Sequence, residues 1–353
     1  MTANHPVARI HLNHIQANFE RVKQRAPGKR LMVVIKANAY GHGLGQVAEQ
    51  LKSADAYAVA RVEEAIELRS LQPDKSIVVL EGYLDGAEAA ACRHYQLAPV
   101  LHSDYQLSLL PDGLPVWIKF NTGMFRLGFE PSLAISLAEK IKRYDLQGIM
   151  SHLANADDPG HEMNQHQVAL FAACANAFPN AARCFGNSGA VIGIPEGIGD
   201  WARPGLMVYG GAPAGDPLPD LLPGMTLSAP VIAINEIQAG DAIGYGGLWV
   251  AKRPSRVAVI AMGYADGYPR EMPENTPVLI NGQRRSLIGR VSMDMCMVLL
   301  EAEDIVQPGD HGVFWGKGLP IDEIASAAGT ISYTLMTGLG QRVRRVFDDL
   351  LSQ

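Results

Sequence analysis

The chain has little with which to cross-link itself or grip a metal. Its four cysteines, Cys92, Cys174, Cys184 and Cys296, lie far apart and form no CxxC pair. That spacing excludes a disulfide framework and a zinc site, and the cysteines read as reduced thiols. No apolar run approaches the roughly 20 residues that a membrane span requires. There is no basic cluster longer than Arg344-Arg345, and with 30 Lys and Arg against 36 Asp and Glu the net charge is −6. A nucleic-acid groove is therefore not expected. The N-terminal MTANHPVARIHLNHIQ lacks both the charged and the apolar region of a secretory signal, so a cytoplasmic protein is expected. Internal repeats and low-complexity segments are missing as well. What is left is a small-molecule protein, long enough at 353 residues for one large domain and a smaller one.

Eight short, apolar, largely β-branched runs punctuate the first part of the chain: LMVVI (31–35), AYAVA (56–60), SIVVL (76–80), LAPVL (97–101), PVWIKF (115–120), LQGIMS (146–151), RCFGN (183–187) and GLMVYG (205–210). Helix-like segments separate them, among them Gly45 to Lys52, Val62 to Ser70, Leu133 to Lys142 and Met163 to Ala177, with apolar positions recurring at three and four. Alternating strands and helices need right-handed crossovers and a parallel sheet, and eight repeats predict a closed (β/α)8 barrel over residues 1–222. An open doubly wound sheet is the alternative. After Pro223-Gly224 the pattern changes to TLSAPVIAINEI, RVAVIAMGYA, TPVLING, SLIGRVSM and MCMVLL, alternating runs between Gly, Pro, Asn and Asp turns. Residues 223–353 are expected to form a mostly β domain with one late helical piece, IDEIASAAG. In it, Met293, Met295 and Met297 read as one face of a strand, where core packing is the default.

A barrel builds its site at the carboxyl ends of its strands. Lys36 ends the first run, Lys119 lies in the fifth, His152 follows the sixth, Asn187 and Ser188 close the seventh, and Arg203 precedes the eighth. A lysine at an apolar strand end is partly desolvated, which lowers its pKa and frees its amine to attack a carbonyl. Alone, it reads more readily as a surface lysine with its stem laid over apolar neighbours. GNSGAV and RPGLMVYG add a serine hydroxyl and glycine amides where barrel enzymes bind phosphate, although GNSG alone is an ordinary polar turn. A lysine beside a phosphate cradle points to pyridoxal phosphate. No metal is expected: His161 and His166, five residues apart on a helix, point about 140° apart.

In order along the chain, VVIKANAYGHG, KFNTGMFRLGF, SHLANAD, NSGAV, WARPGLMVYG, IGYGG, MGYADGYPR and GRVSMDM resemble the motifs of bacterial alanine racemases, fold-type III pyridoxal-phosphate enzymes. The resemblance runs from the N-terminus to about residue 350. It implies that Lys36 carries the cofactor covalently and is one of two acid/base groups. Tyr245 would be the other, reaching the site from the partner subunit of a homodimer with shared active sites. Tyr40, Ser188 and the backbone at Gly205 and Leu206 would contact the phosphate, with Asn187 beside them. Arg203 would face the pyridine nitrogen, with His152 behind it. Arg126 would approach the cofactor's phenolic oxygen and the substrate, held by Lys119, a position often carbamylated. Met293, with Asp294, would offer backbone to the substrate carboxylate from the partner chain. Asp157, Tyr264, Arg270 and Arg290 would line the corridor to the site. Gln341 departs from the family pattern, since several relatives carry a tyrosine there, and so the width of the inner gate is not implied.

These residue types suit racemisation. Taking a proton from one face of an α-carbon and returning one on the other needs two bases on opposite sides. A free tyrosine, near pKa 10, needs a cation to act as one, and a histidine or arginine is expected to supply it. An arginine will not hand its proton to a ring nitrogen, which leaves the ring a weak electron sink and disfavours transamination. The function implied is interconversion of L- and D-alanine, supplying D-alanine for peptidoglycan or serving catabolism. Rivals are a racemase of broader scope, a pyridoxal-phosphate carrier without activity, and a cofactor-free Schiff-base aldolase. The β domain bearing Tyr245 and Met293 argues against the carrier.

Overall fold

The structure, a computed structural model, describes residues 5–348. It separates into two compact units: Gln16–Val208, and a second in which the chain up to Ile15 joins the chain from Tyr209 onward. β1 (Val7–Ile10) belongs to the second unit.

The first unit is a closed parallel barrel. Its strands are β2 (Arg30–Val34), β3 (Ala56–Val59), β4 (Ser76–Val79), β5 (Ala98–Leu101), β6 (Pro115–Lys119), β7 (Asp145–Met150), β8 (Ala182–Cys184) and β9 (Trp201–Ala202). β2 pairs with both β3 and β9, which closes the ring. β3 and β5 are buried at every position, as strands covered on both faces require. The helices lie within two residues of the expected places at their starts and ends. Ala134–Ile141, for example, buries Ala134, Leu137 and Ile141, one stripe of its surface.

One strand is misplaced by the sequence pattern. The eighth is not GLMVYG but Trp201–Ala202, and Leu206–Tyr209 instead forms a buried 3₁₀ turn. A short apolar run serves a buried helical turn as well as a strand. Here the Pro204 carbonyl accepts from the Val34 amide at 2.8 Å but Pro204, having no N–H, donates nothing in return. Arg203 therefore follows the eighth strand rather than preceding it.

The second unit is built on β10 (Met225–Ile237). With β11 (Ala242–Ile243) and β12 (Trp249–Val250) forming a separate hairpin, the main sheet continues through β13 (Ser255–Ile260), β14 (Pro277–Ile280), β15 (Gln283–Ile288), β16 (Cys296–Leu300), β17 (His311–Trp315) and β18 (Arg344–Phe347). The order is β13-β16-β15-β14-β17-β10-β1-β18, and β10 also pairs with β13 beyond a bulge between Val231 and Ala233. β1 runs antiparallel to β10 and parallel to β18.

Two boundaries thus differ from the expected division at 222/223. The four residues of β1 find their partners at Met225–Ser228 and Arg344–Phe347, pairings too distant in sequence to read locally. Residues after Tyr209 join the second unit because Ala212 N–H donates to the buried Asp322 carboxylate, at 3.1 and 3.2 Å. The strand expected through Met293 begins only at Cys296, so Met293 and Met295 sit in an exposed turn instead of a core.

Candidate active site

The first unit gathers its chemistry where β2 ends. Ile35 N–H bonds to Ala58 O, and Lys36 follows, half-buried. The next four residues, Ala37, Asn38, Ala39 and Tyr40, hold φ of 51°, 54°, 52° and 53°, a left-handed turn made without glycine. Each such residue costs about 1–2 kcal/mol. Strain of this kind persists only where the surroundings over-determine it. They do so here: Ala39 N–H bonds to Ile35 O, Gly41 N–H to Ala37 O, and Leu44 N–H to the Asn38 side chain at 2.8 Å.

The turn delivers Tyr40 to a cradle. A side chain on Gly205 would begin 2.6 Å from Tyr40 Oη, so only glycine lets the hydroxyl approach that backbone. The buried Ser188 Oγ accepts from Gly205 N–H at 3.0 Å and from Met207 N–H at 3.4 Å, which sets Leu206 in the same wall. Asn187 begins the short helix Ser188–Gly193, its side chain accepting from Ala190 N–H at 3.1 Å. A capping bond is thus what the structure gives Asn187.

Arg203, 5% exposed, leaves β9 and donates to Ser151 O (3.0 Å), to His152 Nδ1 (2.8 Å) and to Cys184 Sγ (3.1 Å). Because Nδ1 accepts, His152 is neutral with its proton on Nε2. Burial, and then the Arg203 charge, hold its pKa well below the ordinary value. Arg126 is exposed on a loop fixed by Asn121, whose side chain accepts from Gly123 and Phe125 N–H. Burial, and then Arg126, lower the Lys36 pKa. Lys119, buried at the end of β6, is pushed down to about 7 by burial and by Arg203, Arg126 and Lys36. Asp157 lies exposed on the loop after β7.

Lys119 makes stability depend on pH in a defined sense. In the unfolded chain it titrates near 10.4 and in the fold at about 7. Between these values the unfolded chain binds more protons, so stability rises with pH, and below about 7 the full cost of charging the amine is present. Relative to a Lys119→Met variant, the native protein should gain up to about 1.4 kcal/mol per pH unit from pH 7 to 9 in urea unfolding. A difference that stays flat across that range would show that the amine remains charged.

Sequence reasoning overlooked the support beneath these groups. Gln167, fully buried, donates to Thr122 Oγ1 (3.2 Å) and His152 O (3.0 Å) and accepts from Ala154 N–H (2.9 Å). Thr122 meets Ser151 Oγ at 2.8 Å. The one available signal was a glutamine on the same helix face as Phe171 and Cys174. Glu64, which accepts from Ala37 N–H, was overlooked too.

The second unit holds the other candidates. Tyr245 lies in the tight connection between β11 and β12 and is 67% exposed. At Gly244 a side chain would begin 2.8 Å from Met297 Cε and 3.9 Å from Arg290 backbone atoms, which puts the hairpin over the exposed Arg290. Tyr264 N–H bonds to Ser292 O and Ala265 N–H to Met293 O. Arg342, unremarked in the sequence, donates to Asp266 and to Asp294, both at 2.7 Å, and fastens the turn carrying Met293, 53% exposed. Gln341 and Arg270 are exposed. Among the described residues no group of three or more His, Cys, Asp or Glu could hold a metal ion.

The first unit's residues fit a phosphorylated aldehyde. Lys36 offers an amine of lowered pKa, hydroxyls and amides line a cradle too narrow for a side chain at position 205, and the cations Arg126 and Arg203 favour an anion nearby. Family models for the alanine racemase N-terminal and C-terminal domains match residues 10–213 and 224–347. The chain belongs to the alanine racemase family. An alanine racemase of Thioalkalivibrio sulfidiphilus is 45% identical over 96% of this chain and 97% of its own. The biosynthetic alanine racemase of Pseudomonas aeruginosa superposes with a TM-score of 0.93 at 38% identity, covering 98% of this chain and 100% of that one. An alanine racemase of Bartonella henselae, solved with covalently bound pyridoxal phosphate, gives 0.90 at 29% identity, covering 98% and 99%. The barrel followed by an antiparallel domain is the architecture of these alanine racemases.

Proposed function

We propose that this chain is an alanine racemase, an isomerase that uses pyridoxal phosphate to interconvert L- and D-alanine. The observation that carries this is Lys36, half-buried beside Arg126, at the head of a strained turn that ends in the Tyr40–Ser188–Gly205 cradle. Pyridoxal phosphate, when bound, withdraws electrons from an amino acid's α-carbon and makes its proton labile. Lys36 would hold the cofactor covalently and move a proton on one face. Tyr40, Ser188 and the amides at Gly205 and Leu206 would hold the phosphate, with Asn187 keeping Ser188 in place. Arg203, fixed by His152, would face the ring nitrogen and keep it unprotonated, since guanidinium does not give up its proton. Arg126 would bind near the reacting carboxylate. Lys119 has the neutral amine that can add carbon dioxide, and the carbamate so formed would accept from Arg126. The test is the optical rotation of L-alanine incubated with protein and pyridoxal phosphate. Decay to zero supports the reading, whereas unchanged rotation with cofactor bound moves the function to another amino acid or to carriage.

A second base is needed on the opposite face, and we infer that Tyr245 of the partner subunit supplies it. An exposed hairpin tip bearing Tyr245 and Leu248, with Met293 and Tyr264 exposed as well, is the kind of surface a homodimer covers. Met293 backbone would receive the substrate carboxylate there, and Asp157, Tyr264, Arg270 and Arg290 would line the approach. Mixing inactive Lys36→Ala and Tyr245→Phe proteins should restore part of the activity, up to about a quarter of the native value, because a mixed dimer keeps one intact site of two. No recovery after verified subunit exchange would place each site within one chain. The four buried, unpaired cysteines support a reducing, cytoplasmic setting, where D-alanine would serve peptidoglycan precursors or alanine would be broken down.

A further inference from the structure

The left-handed turn after Lys36 is the most strained segment of the barrel unit, and its first amide is held from a neighbouring β/α unit. Ala37 N–H donates to Glu64 Oε1 at 2.6 Å. The other carboxylate oxygen of Glu64 accepts from Ala60 N–H at 2.8 Å and Arg61 N–H at 3.2 Å. Glu64 is the third residue of the helix Val62–Leu71, whose N-cap is Arg61. The Oε2 contacts are therefore an ordinary helix start, in which a glutamate or glutamine reaches back to the N-cap amide. Nothing about a helix start requires the Oε1 contact. It reaches across to the residue that follows Lys36, and it ties the turn to the strand end after β3.

We propose that Glu64 is a positioning residue for Lys36, its Oε1 clamping the Ala37 amide so that four residues stay left-handed and Lys36 and Tyr40 are presented together. A charged acceptor on a backbone N–H is among the stronger hydrogen bonds. It opposes a local cost that Ala37, Asn38, Ala39 and Tyr40 would otherwise relieve by relaxing to negative φ. The inference rests on the proposed role of Lys36 in holding pyridoxal phosphate.

Glu64→Gln separates the two functions of the side chain. Its amide oxygen can keep the bonds to Ala60 and Arg61, which leaves the NH2 group facing the Ala37 N–H, donor against donor. In titrations of the full-length protein with pyridoxal phosphate, followed by absorbance, E64Q should bind about tenfold more weakly than the native protein. Its thermal midpoint should move by no more than a few degrees. Ala37→Gly should restore most of that loss in the double variant, because glycine holds φ near 50° without strain, and should change little in the native background. Glu64→Asp, which keeps the charge but is one methylene short, should fall between native and E64Q.

Equal binding by E64Q and the native protein would overturn the proposal. So would a loss that A37G leaves untouched, or an equal gain from A37G with and without Glu64. If E64Q unfolds appreciably at the titration temperature, the same comparison between E64D and E64D/A37G decides the matter in the same way. Failure of the native protein to bind pyridoxal phosphate at all would instead strike the cofactor reading of Lys36.

Discussion

Replacing Lys36 with alanine is expected to lower racemisation by about 10⁴-fold or more and to end covalent attachment of pyridoxal phosphate. The magnitude follows from the two duties the residue carries at once, since losing a covalent anchor together with an acid/base group is the class of change that costs most. Attachment is read by borohydride reduction and mass mapping, where the native protein should yield a tagged peptide containing Lys36. Lys36 suits this through its environment: burial, then Arg126 and Arg203, disfavour the ammonium form, while Glu81 and Glu64 offset part of that effect. A tag on any other lysine of the native protein, or attachment surviving in the variant, would remove Lys36 from its role.

Tyr245→Phe should cost about 10²–10⁴-fold in racemisation, the range for loss of a positioned acid/base group. The loss in kcat/KM must be the same in both directions, because L- and D-alanine are equally stable and no substitution alters their equilibrium. The asymmetry appears in a half-reaction. With the phenol gone, Lys36 still reaches one face, so one enantiomer should continue to exchange its α-proton with solvent while the other nearly stops. Exchange that falls equally for both enantiomers, or racemisation reduced by less than about tenfold, would mean that Tyr245 is not the second base. The ring itself is an exposed hairpin side chain, so phenylalanine leaves the fold of the second unit unchanged.

Much of the barrel was legible because several of its strands, such as Ala56–Val59 and Ala98–Leu101, are continuous apolar runs, and because a helix such as Ala134–Ile141 carries three-and-four spacing. The runs at 31–35 and 56–60 appear as Arg30–Val34 and Ala56–Val59. The pattern failed where an apolar run is buried without being a strand, as at Leu206–Tyr209. It also failed where pairing partners lie at opposite ends of the chain, as for Val7–Ile10 beside Arg344–Phe347. Lys36, Lys119 and Arg203 could be named from strand ends and motifs. The left-handed turn at Ala37–Tyr40 could not, because two alanines and a tyrosine give no local sign of positive φ, and one asparagine among them marks at most a single residue. Glu64, Gln167 and Arg342 were hidden for a related reason: each looks like an ordinary helix or surface residue until the fold brings a distant partner to it, a backbone group for Glu64 and Gln167 and a carboxylate for Arg342.

The central claim is that two bases on opposite faces move the α-proton. Its most direct test is L-alanine in heavy water with the native holoprotein, following deuterium at the α-carbon together with optical rotation. The account predicts that rotation decays to zero and that the D-alanine formed carries deuterium, since the proton taken by one base returns from the other. D-alanine formed from the first turnovers with its original proton largely retained would contradict it, because one group would then be taking and returning the same proton.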